Sequence, residues 1–159
     1  MSVELFHKKY SEDICALLKE FLEYTREAYS VQVLEFDNYI DSKQDTYAQE
    51  LLSSFVELKK SRFLIAHHNS EVVGYIVGSI EKKPNKVMKK SGYIHSFFVT
   101  KKYRGAGLGK QLYDSLVDWF KKQRCDHLEL SVFDGNQKTI STYKKWGFKE
   151  NAIKMKKKL

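Results

Sequence analysis

The sequence predicts a mixed α/β fold in which helices cover a sheet. Three observations lead there. Apolar residues recur at helical spacing in four segments, six short runs have β-like texture, and the two interleave in the order β-α-α-β-β-β-α-β-α-β. No internal repeat or linker interrupts this order, and 159 residues with 42 % apolar content suit a single domain over residues 1–159.

Each element has its own signal. Val3 to Lys8 reads as a short strand. Ser11 is placed to cap a helix whose stripe is Ile14, Leu17, Leu18, Phe21, Leu22 and Tyr24. After a break over Ser30 to Asn38, a second helix is expected from Tyr39 to Leu58, with Tyr47, Leu51, Leu52 and Phe55 on one side. The runs RFLIAHH and VVGYIVGSI flank the polar turn Asn69–Ser70–Glu71 and read as a hairpin. Lys82 to Lys90 is a basic loop holding the only proline, Pro84, and GYIHSFFV is a fourth strand. Leu108, Leu112, Leu116, Trp119 and Phe120 mark an amphipathic helix. HLELSVF alternates as a fifth strand, and Asn136 to Trp146 is a short helix that Gly147 would stop. A last strand is expected from Phe148 towards Met155.

A formal net charge of +8 attracts anions without choosing among phosphates, acidic proteins, nucleic acid or a membrane surface, and lysine-rich faces also serve solubility. No motif that reads RNA or DNA accompanies the lysines, so no nucleic-acid partner is expected. Cys15 and Cys125 stand apart in apolar segments, which predicts buried reduced thiols, a cytoplasmic setting and neither a disulfide framework nor a metal site. The opening MSVELFHKKY lacks the apolar run of a signal peptide, and no stretch approaches the ~20 apolar residues of a membrane span.

The stretch VTKKYRGAGLGKQL, Val99 to Leu112, sets three glycines at alternate positions between a strand and a helix. A P-loop would need one more residue between Gly105 and Gly109 and a hydroxyl where Gln111 stands. A dinucleotide fingerprint would need a third glycine where Lys110 stands. What fits is RxxGxG, Arg104, Gly107 and Gly109, at a helix start, where bare amides and the helix dipole favour an anion such as a pyrophosphate. A glycine-rich turn that merely packs tightly is the alternative.

These residues resemble the GCN5-related N-acetyltransferase superfamily. The strand–YRGxGxG–helix motif appears as FFVTKKYRGAGLGKQL, and the second hallmark, NxxAxxxYxxxGF, as NQKTISTYKKWGF, with Thr139 where a small Ala is usual. The resemblance spans essentially the whole chain, and from Tyr93 onward it is most similar to diamine and polyamine acetyltransferases. It implies a mixed, mostly antiparallel sheet flanked by helices, and acetyl-coenzyme A as donor. The pyrophosphate would sit on Arg104, Gly105, Ala106, Gly107, Leu108, Gly109 and Lys110. The pantetheine arm would pair with the backbone of Phe97 and Val99, Phe97 or Phe98 would offer an oxyanion amide, and Asn136 would hold the arm. Lys138, Lys144 and Lys145 are candidates for the outer phosphate.

Transfer to an amine needs one proton removed from the nucleophile and one supplied to the leaving thiolate. The resemblance makes Tyr143 the acid. His95 stands where related polyamine enzymes carry a carboxylate, so it is the expected base, with bulk water as the alternative. Against the basic background, Glu35, Asp37, Asp41, Asp45 and Glu50 fall in a window with only Lys43 as a cation. In the family this region walls the acceptor site, which makes Tyr29, Glu35, Phe36, Asp37 and Tyr39 candidate contacts for a small cationic amine. The competing readings are a protein or peptide N-acetyltransferase, an acyl-coenzyme A-binding protein without activity, and a nucleic-acid-binding module. The resemblance also permits a homodimer.

Overall fold

A computed structural model of the chain describes residues 2–30 and 43–159. The elements are β1 (Ser2–Leu5), α1 (Ser11–Glu27), α2 (Gln44–Glu57), β2 (Ser61–His68), β3 (Glu71–Lys82), β4 (Lys90–Val99), α3 (Leu108–Lys122), β5 (His127–Leu130) and α4 (Gln137–Lys145). The strands lie in the order β1-β2-β3-β4-β5. All pairs are antiparallel except β4–β5, which is parallel. This is the mixed, mostly antiparallel sheet flanked by helices that the sequence led us to expect.

Each face of the sheet carries its own apolar cluster. On one, α1 and α2 bury Ile14, Leu18, Leu22, Leu52 and Phe55 over Phe63, Tyr75, Val77 and Phe98. On the other, α3 lays Leu108, Leu112, Leu116 and Phe120, one residue per turn, over Ala66, Ile76, Ile94 and Val99. Each of those three leucines is fully buried and contributes roughly 1.5–3 kcal/mol. Phe120 lies where Gly78 and Gly92 carry no side chain, since a Cβ at either would meet its ring at 2.7 or 2.6 Å.

β4 contains an extra residue. Val77 pairs with Ser96 but Gly78 with Ile94, so His95 is a bulge. Upstream of it Gly92 and Ile94 face α3; downstream, Phe97 and Val99 do. Ser96 and Phe98 turn to the α1/α2 face, where the Ser96 and Tyr75 hydroxyls meet at 3.0 Å.

Several expectations need correction. The strand expected from Phe148 towards Met155 is absent: residues 148–159 hold no regular structure, and Ile153 and Met155 are 91 % and 88 % exposed. With nothing to bury its apolar positions, the segment has no reason to pair. β1 ends at Leu5 and β5 at Leu130, both short of the expected limits. In α2 Leu52 and Phe55 are buried and Leu51 packs against the same cluster, as expected, but Ala48 takes the inward position in the first turns and Tyr47 is exposed. Ser11 is the first residue of α1 rather than its cap, and its hydroxyl donates to the Lys8 carbonyl at 2.7 Å. The hairpin turn is Asn69–Ser70, both with positive φ (49° and 69°), as a two-residue hairpin loop requires. Cys15 and Cys125 are free and partly buried, and burial pushes both thiols up. No helix among the described residues is long and apolar enough to cross a membrane.

Candidate active site

β4 is bordered on both sides for only half its length. Its pairing with β5 ends at Ile94–Leu130, while His95 to Val99 continue against β3 alone. The Thr100 N–H donates to the Val73 carbonyl at 3.0 Å. The alternation of the ladder therefore turns the peptide groups of Phe98 toward β3 and those of Phe97 and Val99 toward the unpaired edge. The Val99 carbonyl accepts from Arg104 Nε at 2.8 Å, which leaves the Phe97 peptide as the pair of donor and acceptor on that edge without a partner among the described residues.

The glycine loop begins where β4 ends. Gly105 and Gly107 adopt φ of +83° and +82°, and a Cβ on either would meet nothing within 4 Å. Their identity is set by backbone conformation, and the space above them is open. Gly109 differs: its Cβ would lie 3.3 Å from the Phe97 ring. Gly107 caps α3 without a side-chain hydrogen bond, no acidic residue stands in the first turn, and the amides of Leu108, Gly109 and Lys110 have no intrahelical carbonyl. Those of Gly105, Ala106 and Gly107 meet no backbone carbonyl among the described residues.

Arg104 is turned away from this array. Its N–H bonds the Lys101 carbonyl at 3.3 Å, and its guanidinium lies 4.1 Å from the Tyr24 ring centroid and 5.1 Å from that of Phe98. It ties the loop to α1. Lys110 is held by Asp114 one turn on, at 2.5 Å.

His95 projects from the bulge on the α1/α2 side. Its Nε2 lies 2.7 Å from Ser79 Oγ, and its ring packs 4.9 Å from that of Tyr93. Burial holds the imidazole below its ordinary value, and the Glu81 carboxylate opposes this shift. The neutral ring that results carries a lone pair at neutral pH. In the tautomer whose Nε2–H donates to the Ser79 hydroxyl, Nδ1 carries the lone pair that takes a proton.

Tyr143, on α4, packs against Trp146 (5.9 Å between centroids) and Phe148 (5.5 Å). Trp146 in turn lies 6.1 Å from Phe97, so α4 is joined to the open edge of β4 through rings. Burial, helped by neighbouring Tyr113, pushes the Tyr143 phenol up to about 12. Asn136 is buried at the N-terminus of α4; its Oδ1 accepts from the Thr139 N–H at 3.3 Å, and its Nδ2 takes no part in that cap. Lys144 pairs with Glu150 at 2.7 Å, and Lys138 and Lys145 are exposed.

Of the acceptor-side candidates, Tyr29 packs edge-on against Phe133 at 4.8 Å. Glu35, Phe36, Asp37, Tyr39 and Asp41 lie outside the described residues, and Asp45 pairs with Lys19 at 2.6 Å. The sequence reading missed Ser79, Phe133 and Gly135. Only Gly135 carried a signal, as a second glycine just before the NQKTISTYKKWGF motif; the other two are placed by contacts distant in sequence.

The acetyltransferase (GNAT) family matches residues 16–148. An uncharacterized N-acetyltransferase of Methanocaldococcus jannaschii is 27 % identical over 86 % of the chain and 58 % of its own length. An N-alpha-acetyltransferase of Sulfurisphaera tokodaii is 34 % identical over 62 % of the chain and 65 % of its own length. The chain thus spans under two thirds of both relatives. Spermine/spermidine N(1)-acetyltransferase of Bacillus subtilis is 22 % identical over 73 % of the chain and 80 % of its own length. Among solved structures, a fourfold mutant of a Bacillus halodurans protein superimposes with a TM-score of 0.83 at 20 % identity, each chain fully covered. An aminoglycoside N-acetyltransferase in complex with CoA gives 0.70 at 16 % identity, over 99 % of this chain and 95 % of the other. The chain belongs to the acetyltransferase (GNAT) family.

Proposed function

We propose that this GNAT-family protein transfers an acetyl group from acetyl-CoA directly to the primary amine of a small cationic molecule. The observation that carries the reading is the half-bordered β4, whose unclaimed Phe97 peptide edge leads to bare amides at the start of α3. These residues fit acetyl-CoA. Gly105 to Lys110 would take the pyrophosphate, with Gly105 and Gly107 leaving room for it. Phe97 would pair with the pantetheine arm, and Asn136 Nδ2 would donate to it. Val99 and Arg104 then hold each other and shape the loop, and Phe98 supports from the β3 side. When bound, acetyl-CoA supplies the activated acetyl thioester.

The chain's own groups handle the protons. His95 Nδ1 takes one from the acceptor ammonium, which gives the nitrogen its lone pair. Ser79 keeps Nε2 engaged, so the ring presents one nitrogen and not the other. Tyr143 is a phenol across the neutral range, as any tyrosine is, and burial extends that range upward. It can donate toward the departing sulfur as charge develops there, and the second proton that the nitrogen sheds as the amide forms returns the balance, so that the sulfur leaves as a thiol. The Phe97 N–H, on the open edge, would serve the thioester oxygen in the same way.

A second reading, acetylation of a peptide or protein N-terminus, is favoured by the Sulfurisphaera tokodaii relative, whose name states that activity. One measurement separates the two: thiol release from acetyl-CoA in the presence of spermidine, aminoglycosides, amino acids and short peptides. Release with small polycationic amines is expected. Release with peptides alone selects the second reading, and no release above the amine-free rate with any of them overturns both.

A further inference from the structure

The bare amides ahead of α3 hang between two fixed ends. From Gly105 to Lys110 no backbone N–H meets a backbone carbonyl among the described residues, so the array has no ladder of its own. One end is α3, anchored by the fully buried Leu108. The other is Thr100 to Arg104, and distant elements hold it residue by residue. Thr100 opens the single turn Lys101–Tyr103 but makes no side-chain cap to it. Its hydroxyl instead donates to Glu20 Oε1 on α1 at 2.7 Å, and the same oxygen accepts from the Lys101 N–H at 3.3 Å. The cap that a local side chain ordinarily supplies thus comes from a helix 80 residues earlier in the chain. Further along the turn, the Tyr103 hydroxyl donates to Glu71 Oε2 at 2.9 Å, and Arg104 lies over Tyr24, one helical turn on from Glu20. Leu17, Leu18 and Leu22 bury the same helix against the sheet, so Glu20 projects from a fixed backbone.

Resting on the donor site proposed above, we infer that Glu20 is a positioning residue for acetyl-CoA. It acts through Thr100 and Lys101, setting the end of the loop from which the pyrophosphate amides follow. With Glu20 in place those amides converge before the donor arrives, and binding does not have to order them. Without it the turn keeps its own bonds, Tyr103 N–H to the Thr100 carbonyl and Arg104 N–H to that of Lys101, but its first N–H and its docking on α1 are lost. The positive-φ residues Gly105 and Gly107 then regain freedom that binding must remove. The proton-handling groups proposed above, His95 and Tyr143, lie on other elements, so the effect falls on donor affinity and not on the transfer step.

The test is calorimetry of acetyl-CoA binding, with thiol release from saturating acetyl-CoA in the presence of spermidine as a second readout. Glu20→Ala should weaken acetyl-CoA ~10-fold, the scale of losing hydrogen bonds to a charged group, and leave kcat within about twofold. Glu20→Gln, whose amide oxygen can accept the same two bonds, should restore most of the affinity. Thr100→Val removes one of the two bonds and keeps the shape of the side chain. It should weaken binding by ~3-fold alone and add little in the Glu20→Ala background, because both changes remove one interaction. An unchanged Kd in Glu20→Ala overturns the inference, as does a Glu20→Gln protein that binds as weakly as Glu20→Ala, or a kcat that falls in step with affinity. If Glu20→Ala does not fold, Thr100→Val decides, and an unchanged Kd there overturns the inference equally. The binding measurement stands whether or not spermidine is an acceptor. A wild-type protein that does not bind acetyl-CoA overturns the donor site itself, an outcome distinct from tight binding that Glu20 does not influence.

Discussion

The donor side and the acceptor side proposed for this molecule are built from different materials. From Gly105 to Lys110 the donor side is backbone: amides at a helix start, two positive-φ glycines, and open space above them. The acceptor side is made of side chains brought together from β3, β4, α1 and the β5–α4 loop, as in Ser79–His95 and Tyr29–Phe133. A site written in backbone needs a fixed spacing of glycines and leaves a local mark. One written in side chains can be assembled from almost any neighbours, and it is free to vary with the acceptor.

The sharpest way to break this contrast is at Gly107. Gly107→Val puts a β-branched residue at φ +82°, so acetyl-CoA affinity measured by calorimetry should fall by ~100-fold or more. Unchanged affinity would mean that the loop's backbone is not the donor site. Next in size is Tyr143→Phe, which removes the hydroxyl and keeps the ring that packs on Trp146 and Phe148. It should cost kcat ~10²-fold with little change in acetyl-CoA affinity, and full activity would remove Tyr143 as the donor. The smallest effect tests the acceptor side. kcat/KM should fall with acidification through a pKa below the ordinary histidine value, because burial depresses His95 and only its neutral form accepts a proton. Glu81→Gln removes the charge that opposes this shift, so the acid limb should move to still lower pH. An unmoved limb would place the titrating group elsewhere than His95.

The glycine turn ahead of α3 was legible in the sequence for the reason given above, and so were α3 and the hairpin, whose periodicity and turn chemistry are local. What escaped had distant causes. The Arg104 side chain and amide are both taken inside the fold, by Tyr24, Val99 and Lys101, which no motif states. On α2 only Tyr47 was misplaced, because its ring is as apolar on paper as Ala48 is in place. Phe148 was read as opening a strand; its ring instead fills the gap between Tyr113 and Tyr143, and the chain beyond it buries nothing. Gly135 was visible but unexplained until Ala28 came to lie against it.

The bulge at His95 makes β4 two strands in opposite phase, joined by one residue. Before it the even-numbered positions look toward α3, and after it the odd-numbered ones do. Removing residue 95 outright would therefore differ in kind from replacing it: every position downstream would exchange faces, sending Phe98 toward α3 and Phe97 toward α1. The side chain at 95 can drift with the chemistry, but the position itself is a fixed count, so relatives aligned across β4 should vary in what stands there and keep the number of residues the same.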